Sequence, residues 1–227
     1  MQITEVLLNT HRFEAMKAFY GSLLGLEVLE ESASRLSFGA GESVLALQEN
    51  SLMENEFYHV AFAIPTNKFI EAKQWVIDRG ISLISRTGED EFLFENWNAT
   101  ALYFYDPDYN LIEFIAHHSL DNAVDEAFGP KHLLRISEIG LPVDNVPEFC
   151  KTITEMFQID SWGEAGQQFT PLGDAEGLLI VIDKQRPWFP DDRMPCGSNT
   201  KIVIKGACSA SLSLQNGLYE LRSTGFN

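Results

Sequence analysis

Residues 101–116 read ALYFYDPDYNLIEFIA, and their pattern decides how the rest of the chain is read. Tyr103, Phe104 and Tyr105 lead into the turn-forming Asp106, Pro107 and Asp108, and Leu111, Ile112, Phe114 and Ile115 follow. The stretch is a β-hairpin with apolar residues on both faces of both arms. Glu113 interrupts the second arm, and an ionised carboxylate there is costly unless something pairs with it.

Upstream of the hairpin the same order of elements occurs twice. Residues 2–9 form a strand, and 13–24 place Phe13, Met16, Phe19 or Tyr20, and Leu23 on one helical face before Gly25 ends the helix. Three strand-like pieces follow: LEVLEE, SRLSFGA and SVLALQE. Then YHVAFAIP is a strand, and NKFIEAKQWVIDRG is a helix capped near Thr66 or Asn67 and stopped by Gly80. The strands ISLISR, ATALYFYD and NLIEFIAH complete the second unit.

Residues 119–131 carry no strand pattern and end near Gly129-Pro130, so they read as a linker between a domain at 1–118 and another at 132–227. A third unit runs through RISEIGLPV, the helix VPEFCKTITEMF and GLLIVIDK. The fourth, TKIVIKG, ASLSLQ and GLYELRS, has no helix after its first strand. The fold class is therefore α+β: paired βαβββ modules forming curled antiparallel sheets in two domains, the second degenerate.

The composition limits the partners. The chain has 227 residues, 45% of them hydrophobic, with 16 basic against 33 acidic residues and a net charge of −17. Without a basic cluster, nucleic acid and anionic membrane are poor partners, because both require cations to meet phosphates. No apolar run reaches the roughly 20 residues of a membrane span, and Met1 leads directly into a strand pattern without a basic leader. The expected location is the cytoplasm. Cys150, Cys196 and Cys208 lack a CxxC spacing and read as free thiols.

Four βαβββ units in pairs, the helix FEAMKAFYGSLLGLEV and the closing YFYDPDYNLIEF resemble the vicinal oxygen chelate superfamily, which includes glyoxalases, extradiol dioxygenases, epimerases, thiol transferases and bleomycin-binding proteins. The resemblance covers residues 1–117 strongly and 133–222 more weakly. It implies metal ligands on the first strand of each half-domain and on the last strand of the domain, which here are Glu5, His59 and Glu113. Each is also a polar misfit on an apolar strand face: Glu5 beside Ile3 and Leu7, His59 beside Phe57 and Ala61, and Glu113 beside Leu111 and Ile115. A divalent cation among them would account for all three.

Departures from the family patterns narrow the reading. The position of a fourth glyoxalase-type ligand holds Ala46, and Glu95, Asn96 and Trp97 stand where a dioxygenase would place a helper histidine. Tyr103 matches a catalytic, substrate-binding tyrosine. Trp97 and Asn98 are further candidates for substrate contact, and Glu5 is an alternative base. Two carboxylates and one imidazole suit Fe²⁺, Mn²⁺, Zn²⁺ or Ni²⁺.

The expected function is a divalent-metal-dependent enzyme of the glyoxalase or dioxygenase type, a lyase, isomerase or dioxygenase, acting on a small molecule that chelates the metal through adjacent oxygens. The alternative is a metal-free binding protein of the bleomycin-resistance type, with Trp97, Tyr103 and Tyr105 as aromatic walls. The C-terminal half repeats the carboxylates as Glu138 and Glu220, but Lys201 or Thr200 stands near the histidine position, and a lysine there would repel a cation. It reads as a structural partner, compatible with a homodimer. His117, His118 and His132 read as a solvated cluster, and the loop holding Arg186, Trp188 and Phe189 as packing or a lid.

Overall fold

The first strand of each repeat decides which repeats share a sheet. In the computed structural model, which describes residues 1–51 and 57–225, repeat one comprises β1 (Gln2–Thr10), α1 (Phe13–Lys17), β2 (Glu27–Glu31), β3 (Arg35–Ala40) and β4 (Ser43–Glu49). Repeat two comprises β5 (His59–Ala63), α2 (Phe69–Asp78), β6 (Phe92–Phe94), β7 (Ala99–Tyr105) and β8 (Leu111–His117). Repeat three supplies β9 (Arg135–Val143), α3 (Val146–Phe157), β10 (Phe169–Asp174) and β11 (Gly177–Asp183). Repeat four supplies β12 (Thr200–Gly206), β13 (Ala210–Leu214) and β14 (Tyr219–Gly225), with no helix.

Two seven-stranded sheets result, ordered β13-β14-β12-β1-β4-β3-β2 and β10-β11-β9-β5-β8-β7-β6. The repeats therefore pair as one with four and two with three. β1 lies antiparallel to β12, with Glu5 opposite Val203 and Leu7 opposite Lys201. β5 lies antiparallel to β9, with Val60 opposite Ile139 and Ala61 opposite Glu138. The boundary read at 119–131 thus separates two repeats that share one sheet. Within each repeat the first strand runs parallel to the last, so both sheets are mixed.

Alternation along the strands sorts the side chains. Val60, Phe62, Phe104, Ile112 and Phe114 point into one continuous core shared with the helices and the other sheet, whereas Ala61, Tyr103, Leu111 and Ile115 line the concave face of the second sheet. The helix at 13–24 is α-helical only over α1 and continues as a π-helical segment, Ala18–Leu23. α3 follows the sequence signals closely. The Asn145 side chain accepts the Glu148 N–H, Pro147 lies in the first turn, and Val146, Phe149, Cys150, Ile153 and Phe157 form the buried stripe. α2 starts after Lys68 without a side-chain cap, and ISLISR forms only isolated bridges at Leu83 and Arg86 rather than a strand.

The linker is docked on the fold. Asn122 accepts the Thr66 N–H, Asn67 bonds Val124, and Phe128 packs edge-on against Trp75. The turn at Asp106 is likewise tied to repeat one, because its buried carboxylate accepts the Tyr20 hydroxyl at 2.8 Å as well as both local N–H groups. Among the described residues no helix is long and apolar enough to cross a membrane.

Candidate metal centre

The second sheet brings three buried side chains of the metal-ligand type together from two repeats. His59 opens β5, Glu113 lies on β8 opposite Ala61, and Glu138 lies on β9, also opposite Ala61. One ligand atom from each, taken together, lies within 4.8 Å of the others. His59 Nε2 is 3.4 Å from Glu113 Oε2 and 3.6 Å from Glu138 Oε2.

The imidazole is oriented by the backbone. His59 Nδ1 is 3.2 Å from the Leu111 carbonyl oxygen, which only accepts, so Nδ1 carries the proton and the Nε2 lone pair faces the carboxylates. Burial lowers the His59 pKa, which keeps the ring neutral, against smaller opposing effects of Glu113, the Leu111 carbonyl and Asp191. Burial also raises both carboxylates, Glu138 to about 8 and Glu113 well above its usual range, the latter pushed further by Glu138. Glu138 Oε1 is buried and has no hydrogen-bond partner.

A lone pair and two carboxylates facing one another in a dry site repel unless protons or a cation lie between them. The donor set, neutral imidazole and two carboxylate oxygens, suits a divalent cation of the Mn, Fe, Zn or Ni kind. The residues fit such an ion. Tyr103 stands opposite Glu113 across β7 and β8; burial, with the charge of Glu113 beside it, raises its pKa, so the hydroxyl remains a donor.

These groups form the floor of a cavity of about 290 Å³. Phe94, Trp97, Phe169, Trp188 and Phe189 supply its aromatic walls and Ile180 and Arg186 complete the lining. Trp97 stacks on Trp162 at 5.4 Å and 15°. The roof comes from the segment joining β11 to β12. Asp191, its side chain 4% exposed, accepts from Tyr105 Oη at 2.9 Å and from Arg193 Nε at 2.6 Å, and Trp188 lies 5.0 Å from the His59 ring. Gly140 makes room for this contact, since a Cβ there would lie 2.7 Å from the Trp188 ring.

Glu5, expected beside His59 and Glu113, is elsewhere. It lies on β1 in the other sheet, its carboxylate 37% exposed and 3.2 Å from Arg35 Nη2. Glu138, read from sequence only as its counterpart in the C-terminal half, stands with His59 instead, because β9 rather than β1 pairs with β5. Asn98 does not line the cavity. It adopts φ +46°, ends a helical turn and bonds Ser119. Trp97 and Tyr103 do line it.

Register also identifies the equivalent positions in the first sheet. Glu5 matches His59, Ala46 matches Glu113, Lys201 matches Glu138 and Arg222 matches Ile180. Arg35, Lys201 and Arg222 outnumber Glu5 and Glu220 on that concave face, which leaves it unsuited to a metal. Glu220 is paired there with Lys201 at 3.0 Å. The three histidines read as a solvated cluster do not converge: His117 is buried against Trp162, His118 meets Thr100, and His132 is buried and accepts the Gly129 N–H.

Residues 2–114 match the sequence profile of the Glyoxalase/Bleomycin resistance protein/Dioxygenase superfamily. Among solved structures, a protein described as a dioxygenase from Bacillus subtilis aligns over 98% of this chain and 85% of its own, with 11% identity and a TM-score of 0.64. A lactoylglutathione lyase from Agrobacterium tumefaciens aligns over 49% of this chain and 90% of its own, at 20% identity and a TM-score of 0.41. The fosfomycin resistance protein FosX from Listeria monocytogenes, in complex with Mn(II), aligns over 53% and 91%, at 20% identity and a TM-score of 0.41. No curated protein sequence matches the chain.

Proposed function

Because the chain belongs to the Glyoxalase/Bleomycin resistance protein/Dioxygenase superfamily, we propose that it is a divalent-metal-dependent enzyme acting on a small molecule that chelates the metal through adjacent oxygens. His59, Glu113 and Glu138 are the ligands in this reading. Its main support is the convergence of three buried ligand atoms within 4.8 Å at the floor of an aromatic cavity. When bound, a divalent ion would act as a Lewis acid on a substrate oxygen.

The protein's own groups divide the remaining work. The Leu111 carbonyl fixes the His59 ring. The Tyr103 hydroxyl, held protonated by burial, lies in the cavity lining, where it is a donor to substrate. The roof residues Trp188 and Phe189 exclude water, which strengthens every polar interaction beneath them. A base role for Glu5 has no support from its position outside this cavity.

A metal-free binding protein would use the same aromatic walls. It would have to keep Glu113 and Glu138 protonated against each other for no gain, so the enzyme reading is preferred. Elemental analysis of protein purified without chelator separates the two. Stoichiometric divalent metal supports the enzyme, whereas its absence, with no rebinding on titration, supports the binding protein.

A further inference from the structure

Among the described residues, Arg186 is the one cationic group lining the cavity, and its side chain meets no carboxylate. Six arginines of the chain are half-buried: Arg35, Arg79, Arg86, Arg135, Arg186 and Arg193. Arg35, Arg86, Arg135 and Arg193 meet carboxylates, and Arg79 donates to the carbonyls of Leu23 and Trp75. Among the described residues the Arg186 side chain has no hydrogen bond or ion pair. It rests only over the Phe169 ring, 4.5 Å from its centroid. Burial lowers its pKa, and no carboxylate offsets that effect.

Removing a guanidinium from water without a partner is unfavourable, and a chain with 33 acidic residues has no shortage of carboxylates to offer. Glu113 and Glu138 do not serve, since they face His59 on the cavity floor and are neutralised there, by protons or by a cation. The charge on Arg186 is left for whatever enters. Its planar fork suits two parallel bonds to a carboxylate. The walls of Trp97, Phe169 and Trp188 suit a flat apolar body, and 290 Å³ lies at the small end of ligand cavities.

We infer that the cavity takes a small, flat organic acid whose carboxylate is bound by Arg186, which makes Arg186 the residue that selects charged over neutral ligands. This deepens the proposed function, since it places the acid in the cavity above the same three ligands. Neither the aromatic walls nor the ligand cluster selects an anion; the guanidinium without a carboxylate partner does.

The test titrates 3,4-dihydroxybenzoate and its uncharged amide, 3,4-dihydroxybenzamide, into the full-length protein by calorimetry, once loaded with Zn²⁺ and once treated with chelator. The acid should bind about tenfold or more tightly than the amide, the size of one charge-assisted bidentate contact. Arg186→Gln should bind the acid no better than the amide while leaving the amide's affinity unchanged, and Arg186→Lys should keep part of the preference. Equal binding of acid and amide by the wild type in both preparations, including no binding of either, would overturn the inference, as would an undiminished preference in Arg186→Gln. Metal content is measured separately on the same samples. A wild type that takes up no metal counts against the proposed enzyme, and the acid preference of the chelator-treated protein still decides the role of Arg186.

Discussion

His59 Nε2 lies 3.6 Å from Glu138 Oε2, although one belongs to the second repeat and the other to the third. The contact exists because β5 and β9 are adjacent and antiparallel. The candidate centre therefore spans both sequence halves, and neither half carries it alone.

A fragment of residues 1–118 should consequently fail to fold as a monomer. It would leave β1 without β12 and β5 without β9, two long edges whose apolar faces are buried in the intact chain. Sedimentation and circular dichroism of the fragment should show unfolded, aggregated or dimeric material. A folded monomer that binds metal would contradict the pairing of repeats described above.

Gly140 sets the distance between the roof and the floor. Its missing Cβ would lie 2.7 Å from Trp188 and 3.0 Å from the His59 Cβ, so Gly140→Ala must displace the indole. The expected cost is about 1–3 kcal/mol in denaturant unfolding, typical of overpacking. A red shift in tryptophan emission should accompany it as Trp188 moves toward water. Unchanged stability and emission would show that the roof is not seated on His59 in solution.

The buried carboxylates give the metal-free protein a defined pH dependence. Glu138 binds its proton up to about pH 8 in the fold but releases it near its ordinary value of about 4.5 when unfolded. Between those values the folded state holds more protons, so stability falls as pH rises and the full penalty is present above pH 8. Asp106, raised to about 6 by burial, acts in the same direction but is common to wild type and variant. The melting temperature of chelator-treated Glu138→Gln relative to wild type should thus increase by several degrees between pH 5 and pH 8.5. A constant or falling difference would mean that Glu138 is not buried as a carboxylic acid.

Much of this architecture was legible in the sequence because its signals are local. The alternation around Glu113, the Asp106-Pro107-Asp108 turn and the stripe from Val146 to Phe157 each depend on neighbours within one element, and the repeats recur in order. His59 and Glu113 stand out on the same grounds, as polar residues on apolar strand faces. The third member of the proposed ligand set was harder to place. Glu5 and Glu138 occupy equivalent positions in their own repeats, so periodicity does not separate them. The choice depends on which first strand pairs with β5, a long-range contact that leaves no local mark.

Metal occupancy of Glu138→Gln beside Glu5→Gln tests the central claim most directly. Both variants, purified without chelator, are assayed by elemental analysis and by metal titration together with the wild type. The account predicts that the wild type and Glu5→Gln hold about one divalent ion per chain, while Glu138→Gln loses affinity by at least tenfold, the lower limit for losing even an indirect ligand support. Retention in Glu138→Gln with loss in Glu5→Gln would contradict it, and so would a wild type that binds no metal.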